Sequence, residues 1–285
     1  MIVLDGGMSN ALESRGHDLS DALWSARLLK DAPEEIAAVH RAYYEAGAAV
    51  ATTASYQASL PGFQQAGLSR AEAERLITRS VLLAREARDE FGADRLVAAS
   101  VGPYGAYLAD GSEYRGNYGV SSAALRDFHA PRLELLIAAE PDLLAIETIP
   151  DTREAEVLVA LLTELDFPAW FSYSIEGDRT RAGQPLTEAF AVPSIDQVVA
   201  VGINCCSPTD VAAAVATAMS VTGKPAVAYP NSGEVWDAGA RSWTGAKISL
   251  AALAPTWGAE YVGGCCRIGP DEIRELHAQD LAQQV

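Results

Sequence analysis

The segment Glu260-Tyr-Val-Gly-Gly-Cys-Cys-Arg267 reads as a short buried strand that opens through two glycines onto two adjacent thiols. A matching segment, Val201-Gly-Ile-Asn-Cys-Cys206, occurs earlier in the chain, and the two segments hold all four cysteines. Thiols gathered at the ends of strand-like runs favour a metal site over a disulfide framework. The alternative is that they are small buried hydrophobic residues, as free cysteines often are.

Around these two segments, apolar strand-like runs alternate with helical patterns along the whole chain. The predicted strands are residues 1–4, 48–53, 95–101, 142–149, 169–175, 199–204, 226–229 and 261–262. Continuous apolar runs, rather than alternating ones, are typical of parallel strands buried on both faces. The pattern therefore predicts a single α/β domain over residues 1–285, a (β/α)8 TIM barrel, with an open doubly wound sheet as the alternative.

Helices are predicted between these strands, and one connection is unusually long. The main helical patterns cover residues 33–46, 69–91, 122–139, 152–165, 208–221 and 249–257, with a short helix near residue 195 and a last one from residue 270. Ser69 and Glu72 form a capping-box pattern at the second of these. Residues 102–119 are rich in glycine and tyrosine and are predicted to be an irregular loop, which in a compact domain usually has a function.

Composition limits the classes of partner. The formal net charge of −17 argues against nucleic acid and anionic membranes, because both attract basic surfaces. No apolar run approaches the roughly 20 residues of a membrane span. The N-terminal run lacks a basic flank, so we expect no signal peptide, and the few cysteines lead us to expect a cytoplasmic protein with small-molecule partners.

Polar residues fall where the predicted barrel would have its active site, at the C-terminal ends of the strands. They are Asp5, Thr52, Thr53, Tyr56, Glu147, Asn204, Cys205, Tyr229, Asn231, Cys265 and Cys266. Glu147 is the most informative because it lies inside an apolar run. A buried carboxylate needs a partner or its pKa rises. That partner is either a ligand ammonium or a nearby lysine or arginine.

The thiols can converge on one metal ion. Cys265 and Cys266 face the same ion only if the chain bends, which Gly263 and Gly264 make easy. Either thiol of the Cys205–Cys206 pair would be the third ligand. Three protein ligands leave one tetrahedral position open, as in catalytic zinc sites. Such a site holds a substrate thiol as thiolate, and its negative charge favours a cationic methyl donor.

Six motifs together resemble the homocysteine S-methyltransferase family. They are Leu4-Asp-Gly-Gly7, Ser55-Tyr-Gln57, Gly102-Pro-Tyr-Gly105, Ile146-Glu-Thr148, Gly202-Ile-Asn-Cys205 and Gly263-Gly-Cys-Cys-Arg267. The resemblance implies a (β/α)8 barrel with Zn²⁺ held by Cys205, Cys265 and Cys266, whereas Cys206 falls outside the motif. It also implies that Asp5 and Glu147 hold the homocysteine ammonium. We further expect substrate contacts from Gly6, Gly7, Thr53, Tyr56, Asn204 and Asn231, the two glycines through backbone N–H groups that face the carboxylate.

The same resemblance bears on the methyl donor. Tyr229-Pro-Asn-Ser-Gly-Glu-Val-Trp236 and the tyrosine-rich loop resemble the branch that uses S-methylmethionine and often S-adenosylmethionine; a betaine-type donor is the alternative. The chain ends soon after the Gly-Gly-Cys-Cys segment, so we expect no cobalamin or folate module. A sulfonium also needs no further activation, because its leaving group is a neutral thioether.

We expect residues 102–119 to close over the donor. The faces of Tyr104, Tyr107, Tyr114 and Tyr118 can attract a sulfonium. Asp110 and Glu113 would add negative charge, and Arg115 would meet a donor carboxylate. The alternative is a packed surface loop that merely covers the barrel mouth. A barrel that binds zinc or thiols without catalysis is the competing class of function.

Overall fold

The computed structural model describes residues 1–20, 23, 25–92, 94–237 and 242–283. Its central feature is a sheet of eight parallel strands. Their bounds are β1 Ile2–Val3, β2 Val50–Thr52, β3 Leu96–Val101, β4 Leu143–Ile149, β5 Ala169–Tyr173, β6 Val198–Asn204, β7 Ala226–Tyr229 and β8 Tyr261–Val262. The strand order is β1-β8-β7-β6-β5-β4-β3-β2, and every pair is parallel.

The sheet closes on itself between its first and second strands. Leu4 and Val50 form a parallel bridge. The Ala49 N–H donates to the Val3 carbonyl at 2.7 Å, and the Asp5 N–H donates to the Val50 carbonyl at 3.1 Å. These bonds pair β1 with β2, so the predicted (β/α)8 barrel is confirmed and the open sheet is wrong.

Helices surround the barrel. They are α1 Met8–Ser14, α2 Ser25–Asp31, α3 Pro33–Glu45, α4 Leu60–Gln65, α5 Arg70–Asp89, α6 Tyr104–Leu108, α7 Ser122–Ala138, α8 Thr152–Leu165, α9 Leu186–Ala189, α10 Val211–Thr222, α11 Leu250–Leu253 and α12 Pro270–Gln283. Short 3-10 turns lie at Ser112–Tyr114, Pro208–Asp210 and Ala254–Thr256, and small hairpins pair Ile175–Glu176 with Arg179–Thr180 and Val235–Asp237 with Ser242–Thr244. The capping box of Ser69 and Glu72 is present at α5. None of the described helices is long and apolar enough to cross a membrane.

Two predicted elements differ in the structure. The stretch 102–119 is not irregular throughout, because it contains α6 and a 3-10 turn; α6 ends at Leu108, and the next residue, Ala109, has a positive φ of 53°. The helix predicted near Ile195 is absent there, and α9 ends before Pro193 instead. Proline followed by serine and aspartate favours a turn over a continued helix.

The barrel interior is apolar near its middle and polar near its C-terminal mouth. Near the middle it is filled by an apolar cluster that includes Leu4, Val50, Ala98, Ala145, Trp170, Ala200 and Val227. Because side chains alternate along a strand, the residues two positions further on face inward as well. On β2 to β5 they are polar, namely Thr52, Ser100, Glu147 and Ser172, and on β6 the polar residue is Asn204, four positions beyond Ala200. The sequence therefore builds a polar layer directly beneath the C-terminal mouth.

Candidate functional site

Three thiols meet at the C-terminal mouth of the barrel. The sulfur atoms of Cys205, Cys265 and Cys266 all lie within 4.8 Å of one another. Sγ of Cys205 is 3.7 Å from Sγ of Cys266, and all three cysteines are free. Cys206 instead lies fully buried in the apolar layer outside the barrel. The structure thus selects Cys205 over Cys206 as the third thiol.

The backbone makes this convergence possible at two places. Cys205 directly follows β6 and has a left-handed φ of 50°, which takes it out of the strand alternation. At β8, Gly263 and Gly264 carry no positive φ; they are needed for close packing. A Cβ on Gly263 would lie 2.6 Å from the Asp5 carbonyl oxygen, and one on Gly264 would lie 2.1 Å from Cγ2 of Ile268.

Asn231 connects the two cysteine segments. Its Oδ1 accepts the Cys266 N–H at 3.1 Å, and its own N–H donates to the Cys206 carbonyl at 3.0 Å. Arg267, the next residue after Cys266, pairs with Glu234 at 3.2 Å. The loop after β7 therefore braces both thiol segments, and the described contacts of Asn231 are with the chain itself.

Hydrogen bonds among the clustered thiols shift the pKa values of Cys265 and Cys266 in opposite directions. Hydrogen bonds from Cys205 and then Cys265 lower the pKa of Cys266 well below its usual range. Hydrogen bonds to Cys205 and Cys266 raise the pKa of Cys265. One thiolate is thus stabilised by two neighbouring thiols. This donor set suits a soft metal ion, whose binding would release the remaining protons.

Two buried carboxylates lie at the polar layer: Glu147 belongs to it, and Asp5 is bonded to its member Thr52. Asp5 accepts hydrogen bonds from the N–H and the hydroxyl of Thr52, at 2.6 and 2.8 Å, and burial raises its pKa to about 8. Glu147 accepts a hydrogen bond from the Ser100 hydroxyl, and burial raises its pKa to about 7. Among the ion pairs of the described residues none involves Asp5 or Glu147, and the buried Arg132 guanidinium offsets the raised pKa of Glu147 only in part. Both can accept a ligand cation.

Three other residues predicted to contact substrate differ in their surroundings. The Thr53 hydroxyl lies 2.6 Å from that of Ser55 and accepts the Ser100 N–H at 3.0 Å. Asn204 is fully buried and bonded to its strand neighbours. Tyr56 faces the mouth: burial, and then the nearby Cys205 thiol, raise its pKa well above the usual range. Of these three residues, Tyr56 is therefore the one best placed to contact a ligand at the thiols.

Gly6 and Gly7 pack against the segment that carries the thiols. A Cβ on Gly6 would lie 2.5 Å from the Ile268 carbonyl oxygen, and one on Gly7 would lie 2.6 Å from the Cys265 carbonyl oxygen. The Gly7 N–H donates to the Ile268 carbonyl at 2.9 Å. Their conformation is thus tied to the thiol turn, and the Gly7 amide is occupied within the chain.

The tyrosine-rich segment divides into two parts. The Tyr114 hydroxyl lies 3.0 Å from Sγ of Cys205. Tyr104, Tyr107 and Tyr118 instead form an aromatic cluster with Phe128, with centroid distances of 5.0–5.5 Å. Arg115 donates to the Ser112 hydroxyl at 2.7 Å and lies 3.6 Å from Asp110, largely in solvent. Of these predicted lid residues, Tyr114 is the one with a described contact to a thiol.

Comparison with known proteins agrees with this geometry. The family model described as homocysteine S-methyltransferase matches residues 2–279. The chain belongs to the homocysteine S-methyltransferase family. Homocysteine S-methyltransferase YbgG of Bacillus subtilis is 47% identical over an alignment of 297 positions, which covers 98% of this chain and 94% of that protein.

Solved structures of a homocysteine S-methyltransferase family member show the same fold. The homocysteine methyltransferase MmuM of Escherichia coli, in its metallated form, superposes with a TM-score of 0.89 at 45% identity, covering 98% of this chain and 96% of that one. Its apo form superposes with a TM-score of 0.79 at 39% identity, covering 98% and 95%.

In the present chain, a buried charged group that shapes the barrel mouth was not predicted from the sequence. Arg132 is 1% exposed. Its guanidinium donates to the carbonyls of Gly102, Ser55 and Tyr56 at 2.7–2.9 Å, and so fixes the loops after β2 and β3. The signal was available, because Arg132 lies on the apolar stripe of α7 with Leu125, Phe128 and Leu136.

A second missed group holds the aromatic cluster. Glu154 is fully buried and accepts hydrogen bonds from the Tyr118 hydroxyl at 2.9 Å and the Tyr104 N–H at 2.5 Å. Its Oε1 also lies 2.8 Å from Nε2 of His129. Glu154 therefore anchors the aromatic part of the tyrosine-rich segment to α7 and α8.

Proposed function

We propose that this protein transfers a methyl group from a cationic sulfonium, S-methylmethionine or S-adenosylmethionine, to the thiol of L-homocysteine and yields methionine, with Zn²⁺ as cofactor. One observation carries the proposal. Three thiols within 4.8 Å of one another lie at the same barrel mouth as two buried carboxylates without an ion-pair partner among the described residues.

The residues fit a zinc ion. Cys205, Cys265 and Cys266 would hold it, leaving one tetrahedral position for a substrate thiol. When bound there, Zn²⁺ keeps a coordinated thiol ionised at neutral pH. The cluster of three thiol sulfur atoms within 4.8 Å of one another supports this assignment. Metal-binding thiols persist in a reducing compartment, so we infer a cytoplasmic location.

The amino acid portion of homocysteine would be held by the polar layer. Asp5 and Glu147 would bind the ammonium, since each is buried and forms no ion pair among the described residues. Ionised carboxylates bonded to an ammonium would have their pKa values lowered again, which makes ammonium binding and carboxylate ionisation mutually favourable. The Gly6 N–H would face the carboxylate, because the Gly7 N–H is already bonded to Ile268.

The donor would enter beneath the segment that carries Tyr114. Glu113 is 8% exposed, and its Oε2 has no described hydrogen-bond partner. A carboxylate and a tyrosine face both attract a cationic sulfonium. In the transfer, the homocysteine sulfur forms a bond to the methyl carbon and its thiol proton is lost to solvent. The donor carbon–sulfur bond breaks with its electron pair on sulfur, and a neutral thioether leaves.

The test is a comparison of donors. Purified protein would be assayed for zinc content and for methionine formation from homocysteine with S-methylmethionine, S-adenosylmethionine and betaine side by side. We expect about one zinc per chain and methionine with at least one sulfonium donor. Preference for betaine would contradict the sulfonium assignment. Stoichiometric zinc without methionine from any donor would instead support the non-catalytic barrel.

A further inference from the structure

Thr148, the residue after Glu147, has an unusual backbone conformation. Its φ is 59°, in the left-handed region, which β-branched residues rarely adopt. The pairing of β4 with β5 is irregular at the same point: Ile146 pairs with Phe171, but Ile149 pairs with Tyr173, so β4 holds one extra residue. This is a β-bulge, a device that redirects a side chain near an active site.

The bulge fixes which face each β4 residue occupies. Ala145 lies in the interior cluster, and Ile146 lies in the outer layer. Strict alternation would place Ile149 inside the barrel, above Glu147. Ile149 lies in the outer layer instead. The extra residue therefore keeps the Ile149 side chain out of the barrel mouth above Glu147.

The Asn204 amide holds this conformation at two points. Its Oδ1 accepts the Thr148 N–H at 2.7 Å, and its Nδ2 donates to the Thr148 hydroxyl at 2.7 Å. A backbone N–H can only donate, so the orientation of the amide is determined. Oδ1 also accepts the Ser172 hydroxyl at 2.8 Å. Both acceptor positions are then filled, and one N–H remains for anything else.

We propose that Asn204 is a positioning residue, which clamps Thr148 in its left-handed conformation and so directs the Glu147 carboxylate into the barrel mouth. The inference rests on the proposed ammonium-binding role of Glu147. It assigns Asn204 an indirect contribution to homocysteine binding, in place of the direct substrate contact expected from the sequence. A strained residue that persists beside a functional group is maintained by its surroundings, and here the clamp is the amide.

The test combines loss of the clamp with relief of the strain. Asn204→Ala removes the clamp. Thr148→Gly removes the penalty for a positive φ, whereas Thr148→Ala removes the same hydroxyl and keeps that penalty, which makes it the matched control. Homocysteine KM, donor KM, kcat and zinc content would be measured for each single variant and for both double variants.

We expect Asn204→Ala to raise the homocysteine KM about tenfold or more and to leave the donor KM and zinc content within about twofold. Adding Thr148→Gly should recover at least half of that loss on a logarithmic scale, and adding Thr148→Ala should recover none. A glycine double variant as impaired as Asn204→Ala alone would overturn the proposal and indicate direct contact with substrate.

Two further measurements keep the outcome decisive. If Asn204→Ala does not fold, Asn204→Ser takes its place, and the thermal midpoint is compared with glycine and with alanine at position 148. A higher midpoint with glycine supports the clamp, and equal midpoints refute it. Glu147→Gln separates the two proposals: an unchanged homocysteine KM in that variant disproves the ammonium role, while the midpoint comparison still decides the positioning role.

Discussion

The hydroxyl of Tyr114 lies 3.0 Å from Sγ of Cys205, although 91 positions separate the two residues in sequence. The 3-10 turn after β3 therefore reaches across the mouth to the thiol that ends β6. Tyr114 is also 38% exposed, and the Arg181 guanidinium lies 5.7 Å from its ring centroid. Tyr114 thus connects the thiols with solvent, on the side from which the proposed methyl donor would enter.

Replacing Tyr114 with alanine should weaken donor binding selectively. Loss of one aromatic face from a cation costs about 0.5–2 kcal/mol, or roughly 2- to 30-fold in the apparent KM for S-methylmethionine. The homocysteine KM should change far less. Two-substrate steady-state kinetics would measure both constants.

Tyr118→Phe is the control for that variant. It keeps the aromatic cluster and loses one hydrogen bond to Glu154, so we expect about 1 kcal/mol of lost stability and unchanged KM values. Equal effects of Tyr114→Ala on both substrates, or a large effect of Tyr118→Phe on donor KM, would show that the donor binds elsewhere.

Removing any one of the three clustered thiols should remove the metal. Alanine at position 205, 265 or 266 leaves two thiol ligands, so we expect loss of zinc and of methyl transfer while the barrel stays folded. Cys206→Ala should keep both, because Cys206 lies in the outer apolar layer. Zinc analysis and far-ultraviolet circular dichroism check this. Stoichiometric zinc in Cys265→Ala protein would be inconsistent with the ligand assignment.

Much of the fold could be predicted because its signals are local. The buried strands β4 and β6 are continuous apolar runs, and helix α8 was predicted with the bounds that the structure has, Thr152–Leu165. The convergence of the two cysteine pairs followed from strand order in a closed barrel. These inferences need only periodicity and the rule that strand ends share one mouth. The choice of Cys205 over Cys206 needed the family resemblance as well.

The remainder depends on contacts that periodicity does not encode. Nothing local predicts that Thr148 adopts a positive φ, because the cause is the Asn204 amide on a different strand. Likewise, Asn231 looked like a ligand residue from its position, yet its hydrogen bonds join the two thiol segments. Buried Arg132 was visible as a charge on an apolar helix stripe, but its three carbonyl partners come from distant loops.

Arg132 should be essential for stability rather than for chemistry. Arg132→Met fills similar volume but leaves three buried carbonyls without their donor. Each unsatisfied group costs about 1–3 kcal/mol, so a loss of several kcal/mol is expected. Urea denaturation would measure it. Arg70→Met is the control, because the Arg70 side chain is 66% exposed and its ion pair among the described residues is with Glu74 on the surface. Comparable losses in the two variants would refute the structural role of Arg132.

The raised pKa values of the two carboxylates predict an unusual dependence of stability on pH. In the folded protein burial raises the pKa of Glu147 from 4.5 to about 7 and that of Asp5 from 3.8 to about 8. Between about pH 4 and pH 8 the folded state therefore binds more protons than the unfolded state. The stability that these two groups contribute to the ligand-free protein therefore falls as pH rises through this window.

Glu147→Gln should remove the part of this pH-dependent loss of stability that Glu147 causes. The shift of Glu147 corresponds to about 3 kcal/mol at 1.36 kcal/mol per pKa unit, so the variant should lose less stability than wild type between pH 4.5 and pH 8 by roughly that amount. Urea denaturation of metal-free protein at both pH values measures the difference. Glu140→Gln, at a residue whose side chain is 79% exposed, should keep the wild-type loss of stability.

Methionine binding tests the same carboxylate. Methionine carries the ammonium but no thiol, so it should bind wild type more tightly as Glu147 ionises. The same pH dependence of methionine binding in Glu147→Gln as in wild type would contradict the assignment.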